Sequence, residues 1–394
     1  MAMKRRRLWI VNAALLVVLS LVCGFFAAGV SAWYEGHDFH CFWVAGRIVA
    51  SGGDPYDARR FVPEILTVPP SPERALVRCG QRLSYPPWTG MALAPFGALP
   101  LPAAATLWAS LTVMSVVLGV NWTWQLVGQR RIPWLLVAAL VVCTEQFVRT
   151  LFLEGQFGAF TFALTARAAL SVRSERGTAG GIATALLALK PQTGIGFAAA
   201  ALGLAVLRRR WPFVGAAGAA GLGLVGLSQL LRPGWLQEFV GGVTELSTSI
   251  ADRATIWNLA GSWTLAVMVI ALLLAVVVVL IRARGADDAE ILSFAVAFGL
   301  IVAPYAWDAD YIVLAIPWSM IIGNASQLRP FPRSVLTIST MLVAAPVLWA
   351  ITVVGGLAGT QSLLVLVPIL TVLLLALAIR WGTRGVSGVP AAAA

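Results

Sequence analysis

Long apolar blocks alternate with short arginine-rich clusters along most of this chain of 394 residues. A helix that crosses a membrane needs about 20 predominantly apolar residues. The blocks therefore predict spans, and the basic clusters between them predict the inner side. Leu8 to Val30 reads as a retained first span, leaving outward from Lys4 to Arg7. A long outer loop follows, and residues 31–101 include an amphipathic stretch from Trp88 to Leu99, expected at the interface with Pro95 and Pro100 interrupting it. Ala103 to Leu126 returns to Arg130-Arg131. Pro133 to Phe147 and Phe157 to Leu170 form a hairpin whose outer turn runs from Arg149 to Gln156.

Two later blocks are different. Thr178 to Leu207 starts and ends at inner basic clusters, so it must go in and come back, yet it is too short for two full spans. Its middle is Leu189-Lys190-Pro191-Gln192. Ala289 to Gly323 repeats the design around Pro304-Tyr305-Ala306-Trp307-Asp308-Ala309-Asp310-Tyr311. Non-helical backbone at membrane depth survives only where protein buries it or a wet cavity borders it. Two such turns imply one polar cavity toward the outer side. Between them, Pro212 to Leu231 is a span, residues 232–262 are a second outer segment, and Trp263 to Ile281 returns. Val335 to Val354 and Leu363 to Ile379 bring the total to about 12 spans with both ends inside. The chain reads as one all-α polytopic membrane domain over residues 1–394.

Composition sharpens this reading. Hydrophobic residues make up 59% of the chain and charged residues 11%, against about 25% charged in soluble domains. The net charge of +11 sits in the loop clusters, which excludes a nucleic-acid surface. Four cysteines are present, none at zinc-ligand spacing. Cys41 and Cys79 share the outer loop, where a disulfide and two buried thiols both fit.

Most acidic residues fall on the outer side. Asp38 lies between the two histidines of the chain, His37 and His40. A carboxylate there fits a general base tuned by its neighbours, and equally an N-cap for a helix over Phe39 to Ala50 ending at Ser51-Gly52-Gly53. A metal site would need further ligands, and none is expected. Asp54-Pro55-Tyr56-Asp57 is a turn by composition, and Tyr85-Pro86-Pro87-Trp88 an extended lead into the interfacial helix. Lys190 suits a phosphate as a point charge or a structural ion pair. Arg149 and Arg253 are outer cations of the same use. Asp308 and Asp310 can hold sugar hydroxyls or pair with such cations.

These residues in this order resemble glycosyltransferase family 87. The resemblance rests on Asp38, Gly53-Asp54-Pro55-Tyr56-Asp57, Tyr85-Pro86-Pro87-Trp88, Pro95-Phe96, Leu99-Pro100, Trp108, Glu154-Gly155-Gln156, Leu189-Lys190-Pro191-Gln192 and Pro304-Tyr305-Ala306-Trp307-Asp308. It implies a GT-C fold and a polyprenyl-phosphate sugar as donor, mannose in the best-known members, with no cofactor. It also implies a lipid or glycan acceptor, and an active site on the periplasmic face of a bacterial inner (plasma) membrane. It makes Asp38 the catalytic base. His37, His40, Asp54, Tyr56, Tyr85, Arg149, Glu154, Gln156, Lys190, Gln192, Arg253, Tyr305, Trp307, Asp308 and Asp310 are the candidate substrate contacts. Family members often carry a histidine around Trp307-Asp308, and this chain has none there. A transporter or lipid flippase is the rival reading, since broken hairpins and buried charges occur there too. A non-catalytic membrane scaffold is a third. It would tolerate loss of Asp38.

Overall fold

In a computed structural model of the chain, the residues described are 18, 20–22, 38–67, 79–128, 131–144, 154–172, 177–234, 238–239, 241, 255–260, 263, 265–271, 274, 286–358 and 361–386. The described residues are 83% helix, with no strand among them. Among the described residues, four helices are long and apolar enough to cross a membrane: Leu101–Val127, Trp211–Leu230, Pro330–Gly355 and Ser362–Gly382. The helix from Trp211 presents Leu222 and Leu230 outward, 76% and 83% exposed. Side chains of that kind suit lipid rather than water. The spans expected at Leu8 to Val30 and Trp263 to Ile281 lie largely outside the described residues.

The chain divides into two compact units. The first comprises Met1–Leu118, Phe147–Phe160 and Leu224–Thr244. Its helices are α1 (Asp38–Ala50), α2 (Ala58–Leu66), α3 (Pro87–Gly97) and the opening turns of α4 (Leu101–Val127). Helix α1 ends as its sequence suggests: Gly52 takes φ +72°, a left-handed value that suits glycine, and the Gly53 amide closes on the Ile48 carbonyl at 2.8 Å. Asp57 caps α2, accepting from the Arg59 amide. Pro86-Pro87 opens α3, where a proline at the first position costs no hydrogen bond. The expected interruption at Pro95 does not occur: α3 continues through it to Gly97. Helices α1 and α3 pack backbone to backbone. A Cβ on Gly46 would lie 2.2 Å from the Leu93 carbonyl oxygen, and one on Gly97 would lie 1.9 Å from the Arg47 nitrogen. Only glycines permit that approach.

Beneath this pair sits an aromatic core. Phe39, Phe42, Phe96, Phe157 and Phe160 all pack on Trp108, with ring centroids 4.9 to 5.9 Å away. A disulfide joins Cys41 to Cys79 with Cα atoms 5.3 Å apart. It ties α1 to the segment that leads into Tyr85.

The second unit comprises Gly119–Gln146, Thr161–Gly223 and Glu245–Ala394. It contains the rest of α4, α5 (Trp134–Val142), most of α6 (Gly158–Val172) and both short hairpins. The first hairpin is α7 (Thr178–Leu186), a 3₁₀ turn over Leu187–Leu189, and α8 (Pro191–Leu207); α9 (Trp211–Leu231) follows it. The second is α10 (Asp288–Val302), a 3₁₀ segment over Asp308–Leu314, and α11 (Ala315–Ala325). Helix α10 carries a capping box between Asp287 and Glu290, a strong local start signal.

Helices α8 and α10 lie antiparallel in one register. Arg208 meets Asp288 at 2.8 Å at one end, and a Cβ on Gly196 would come 2.8 Å from the Gly299 Cα midway. Lys190 meets Asp310 at 2.5 Å at the other end. The chain finishes with α12 (Pro330–Leu342), α13 (Leu348–Ala358) and α14 (Leu366–Val386). The span expected as one plain helix over Val335 to Val354 begins earlier, at Pro330. It also contains a π turn over Val343–Val347 around Pro346. A proline has no N–H for the regular ladder, and a wider turn accommodates it.

Candidate active site

In the first unit the site begins at a turn. Gly155 takes φ +63°, and its carbonyl accepts the Trp108 indole N–H at 2.7 Å. That anchor fixes Glu154 and Gln156 on either side of it, 5% exposed each. The Gln156 side-chain amide donates to the carboxylate of Asp38. Asp38 opens α1 and is half-buried. An amide donor orients a carboxylate, which can accept more than one hydrogen bond.

His40 lies two residues further along α1, and residues so spaced on a helix point to different faces. It is fully buried, edge-on to Trp43. Burial lowers its imidazole from 6.5 to about 4, so at neutral pH it is an uncharged ring. His37 lies outside the described residues, as do Arg149 and Arg253.

Asp54 and Tyr56 form the expected turn, the Tyr56 amide bonding Asp54 at 2.8 Å. The Asp54 carboxylate pairs with Arg232. Arg232 also meets Glu238 at 2.5 Å and lies 5.2 Å from the Tyr56 ring centre. The Tyr56 hydroxyl donates to the Tyr85 carbonyl. Burial, then the Glu238 charge, raises the phenol, so it remains a donor. The Asp54 turn of the first expected outer segment thus meets the start of the second at Arg232.

In the second unit, Lys190 donates to Asp310, and both side chains are fully buried. The other Asp310 oxygen accepts from the Trp307 amide at 3.1 Å, and Asp308 accepts from the Ala309 amide at 2.8 Å. Tyr305 and Gln192 are buried nearby in sequence, and Trp307 is half-buried. The two hairpin turns therefore face each other. Lys190 takes the ion-pair geometry, and Pro191 starts α8 directly after it. Among the described residues, no three His, Cys, Asp or Glu side chains converge as metal ligands would.

A family model described as glycosyltransferase family 87 matches residues 83–306, more than half of the chain. The chain belongs to glycosyltransferase family 87. Its activity is therefore sugar transfer. No curated protein matches it closely enough to narrow the reaction further. The family-87 match takes in Tyr85, Glu154, Gln156, Lys190, Gln192 and Tyr305. Asp38, His40, Asp54 and Tyr56 precede it, and Trp307, Asp308 and Asp310 follow it.

Sequence reasoning placed Arg232 and Glu238 in the second outer segment and gave neither a role. Their signal was an arginine closing an apolar span on the same side as the acidic turn at Asp54.

Proposed function

We propose that this family-87 chain moves a hexose, mannose by family resemblance, from a polyprenyl-phosphate donor to a lipid or glycan acceptor. The acceptor hydroxyl gives its proton to Asp38 as its oxygen attacks the anomeric carbon. The bond from that carbon to the phosphate oxygen breaks, and its electron pair leaves with polyprenyl phosphate. The anomeric configuration inverts. Lys190 or an outer arginine, Arg149 or Arg253, receives the charge of the leaving phosphate. No cofactor takes part.

The observation that carries this reading is the Asp38–Gln156 hydrogen bond. It joins the candidate base at the start of the first outer segment to the Glu154-Gly155-Gln156 turn inside the matched family region. The Cys41–Cys79 disulfide supports placing the reaction on the periplasmic face of a bacterial inner membrane, since such bonds persist in oxidising compartments. The four apolar helices and two short hairpins fit a GT-C architecture of about 12 spans.

The test is Asp38→Asn in purified protein supplied with a panel of radiolabelled polyprenyl-phosphate sugars. General-base catalysis contributes about 10²–10⁴-fold, so transfer should fall by at least that. Asparagine still suits a helix start, so the fold should persist. Transfer at the wild-type rate would remove Asp38 from the mechanism.

A further inference from the structure

Beside the Asp54 turn, the first unit holds an open cleft of about 410 Å³ lined by Asp54, Tyr56, Asp57, Arg59, Arg82, Arg232, Glu238 and Gly241. Small-ligand pockets run from about 300 to 1,000 Å³, so the cleft has the size of one. Three guanidinium groups face three carboxylates there. A phosphate or other anion would gain from a net positive lining, and this lining is balanced. A neutral polyol is different, because each of its hydroxyls both donates and accepts. Paired guanidinium and carboxylate groups offer both halves side by side. Arg232, Asp54 and Glu238 keep 24%, 35% and 48% of their side-chain surface exposed, so their pairing does not seal them from the cleft they line.

The cleft also adjoins the wall that carries the candidate base. The Tyr56 hydroxyl bonds the Tyr85 carbonyl. The Tyr85 ring packs on Phe42 and Phe157, with centroids 5.4 and 5.5 Å away. Phe42 lies one turn beyond Asp38 on α1, and Phe157 directly follows Gln156. We infer that this cleft is a subsite for a neutral sugar ring of the acceptor, with Arg82, Arg232 and Glu238 as its unassigned ligands beside Asp54. The inference rests on the transferase reading above and names the acceptor class of the same site.

The test is saturation-transfer NMR on the full chain in a detergent without a sugar headgroup. The probes are methyl α-mannopyranoside and methyl β-galactopyranoside, with inorganic phosphate as competitor. The wild type should give signal from at least one glycoside, and phosphate should not displace it. Arg82→Gln and Glu238→Gln should each weaken the binding about tenfold or more, the scale of one hydrogen bond to a charged group. Absence of glycoside signal in the wild type, equal signal in both variants, or displacement by phosphate overturns the subsite. Donor turnover is measured on the same preparation. Turnover without glycoside binding overturns the subsite alone. Glycoside binding without turnover of any donor overturns the polyprenyl-phosphate reading and leaves the cleft a sugar-binding site without its acceptor role.

Discussion

The side-chain amide of Gln156 donates a hydrogen bond to Asp38 across 118 residues of sequence. Sequence spacing alone does not pair these two residues. The pairing follows from Gly155, whose left-handed backbone and carbonyl contact to Trp108 aim the turn.

Gln156 is therefore a positioning residue for Asp38. Gln156→Leu should lower kcat about 10- to 100-fold, the cost of a hydrogen bond to a charged group, with little change in donor KM. Gln156→Glu sets a second carboxylate against the first and should lose more. Steady-state kinetics on both variants read this. A rise in donor KM at unchanged kcat would assign Gln156 to donor binding instead.

Lys190 and Asp310 form a buried pair. Removing one partner strands a charge and should cost about 3–5 kcal/mol. Lys190→Met and Asp310→Leu should each unfold readily in detergent, and the double variant should recover most of the loss. Thermal melts of the three variants decide this. A double variant as unstable as either single one would show that the pair is not the cause. Donor KM in the recovered double variant then reads the phosphate role by itself. A tenfold rise assigns Lys190 to the donor, and no change passes that role to an arginine.

The Cys41–Cys79 bond closes a loop of 38 residues over the helix that bears Asp38. Replacing both cysteines with serine should cost about 2–4 kcal/mol. The melting midpoint should fall by a similar amount when reductant is added to the wild type. An identical midpoint with and without reductant would mean that the crosslink contributes nothing.

His40 gives a pH signature. Its folded value near 4 lies below its ordinary 6.5, so between the two the unfolded chain binds a proton that the folded chain refuses. Its contribution to stability is intact above about pH 6.5 and is lost as pH falls toward about 4, at up to ~1.4 kcal/mol per pH unit. His40→Phe should flatten that part of the curve. Melts at pH 7.5, 6 and 5 compare the two proteins. Parallel curves would show that another group sets the acid limit.

Much of the architecture was legible because its signals are local. Pro191 after Lys190 marks a helix start, and the shortness of the two apolar blocks marks the hairpins. The glycines after Ala50 mark the end of α1. The misreadings are also local in cause. Pro95 was expected to interrupt its helix, and α3 runs through it to Gly97; at Pro346 a π turn absorbs the proline within its span. The site was legible only by residue type. That Asp38 meets Gln156, and that Lys190 meets Asp310 rather than standing as a lone cation, depends on contacts more than 100 residues apart. Arg232 and Glu238 carried no motif. The Asp54 turn they complete is visible in sequence, and its partners are not.

The Lys190–Asp310 pair also sets an order of birth. The lysine is made 120 residues before its counter-charge. At about 5–20 residues per second, translation takes roughly 6–24 s to cover that interval. Through it, the first hairpin carries the Lys190 ammonium without Asp310, and hydrocarbon disfavours a charge by about 2.5–3.5 kcal/mol. The burial of Lys190 beside Asp310 is therefore complete only once the second hairpin has been made.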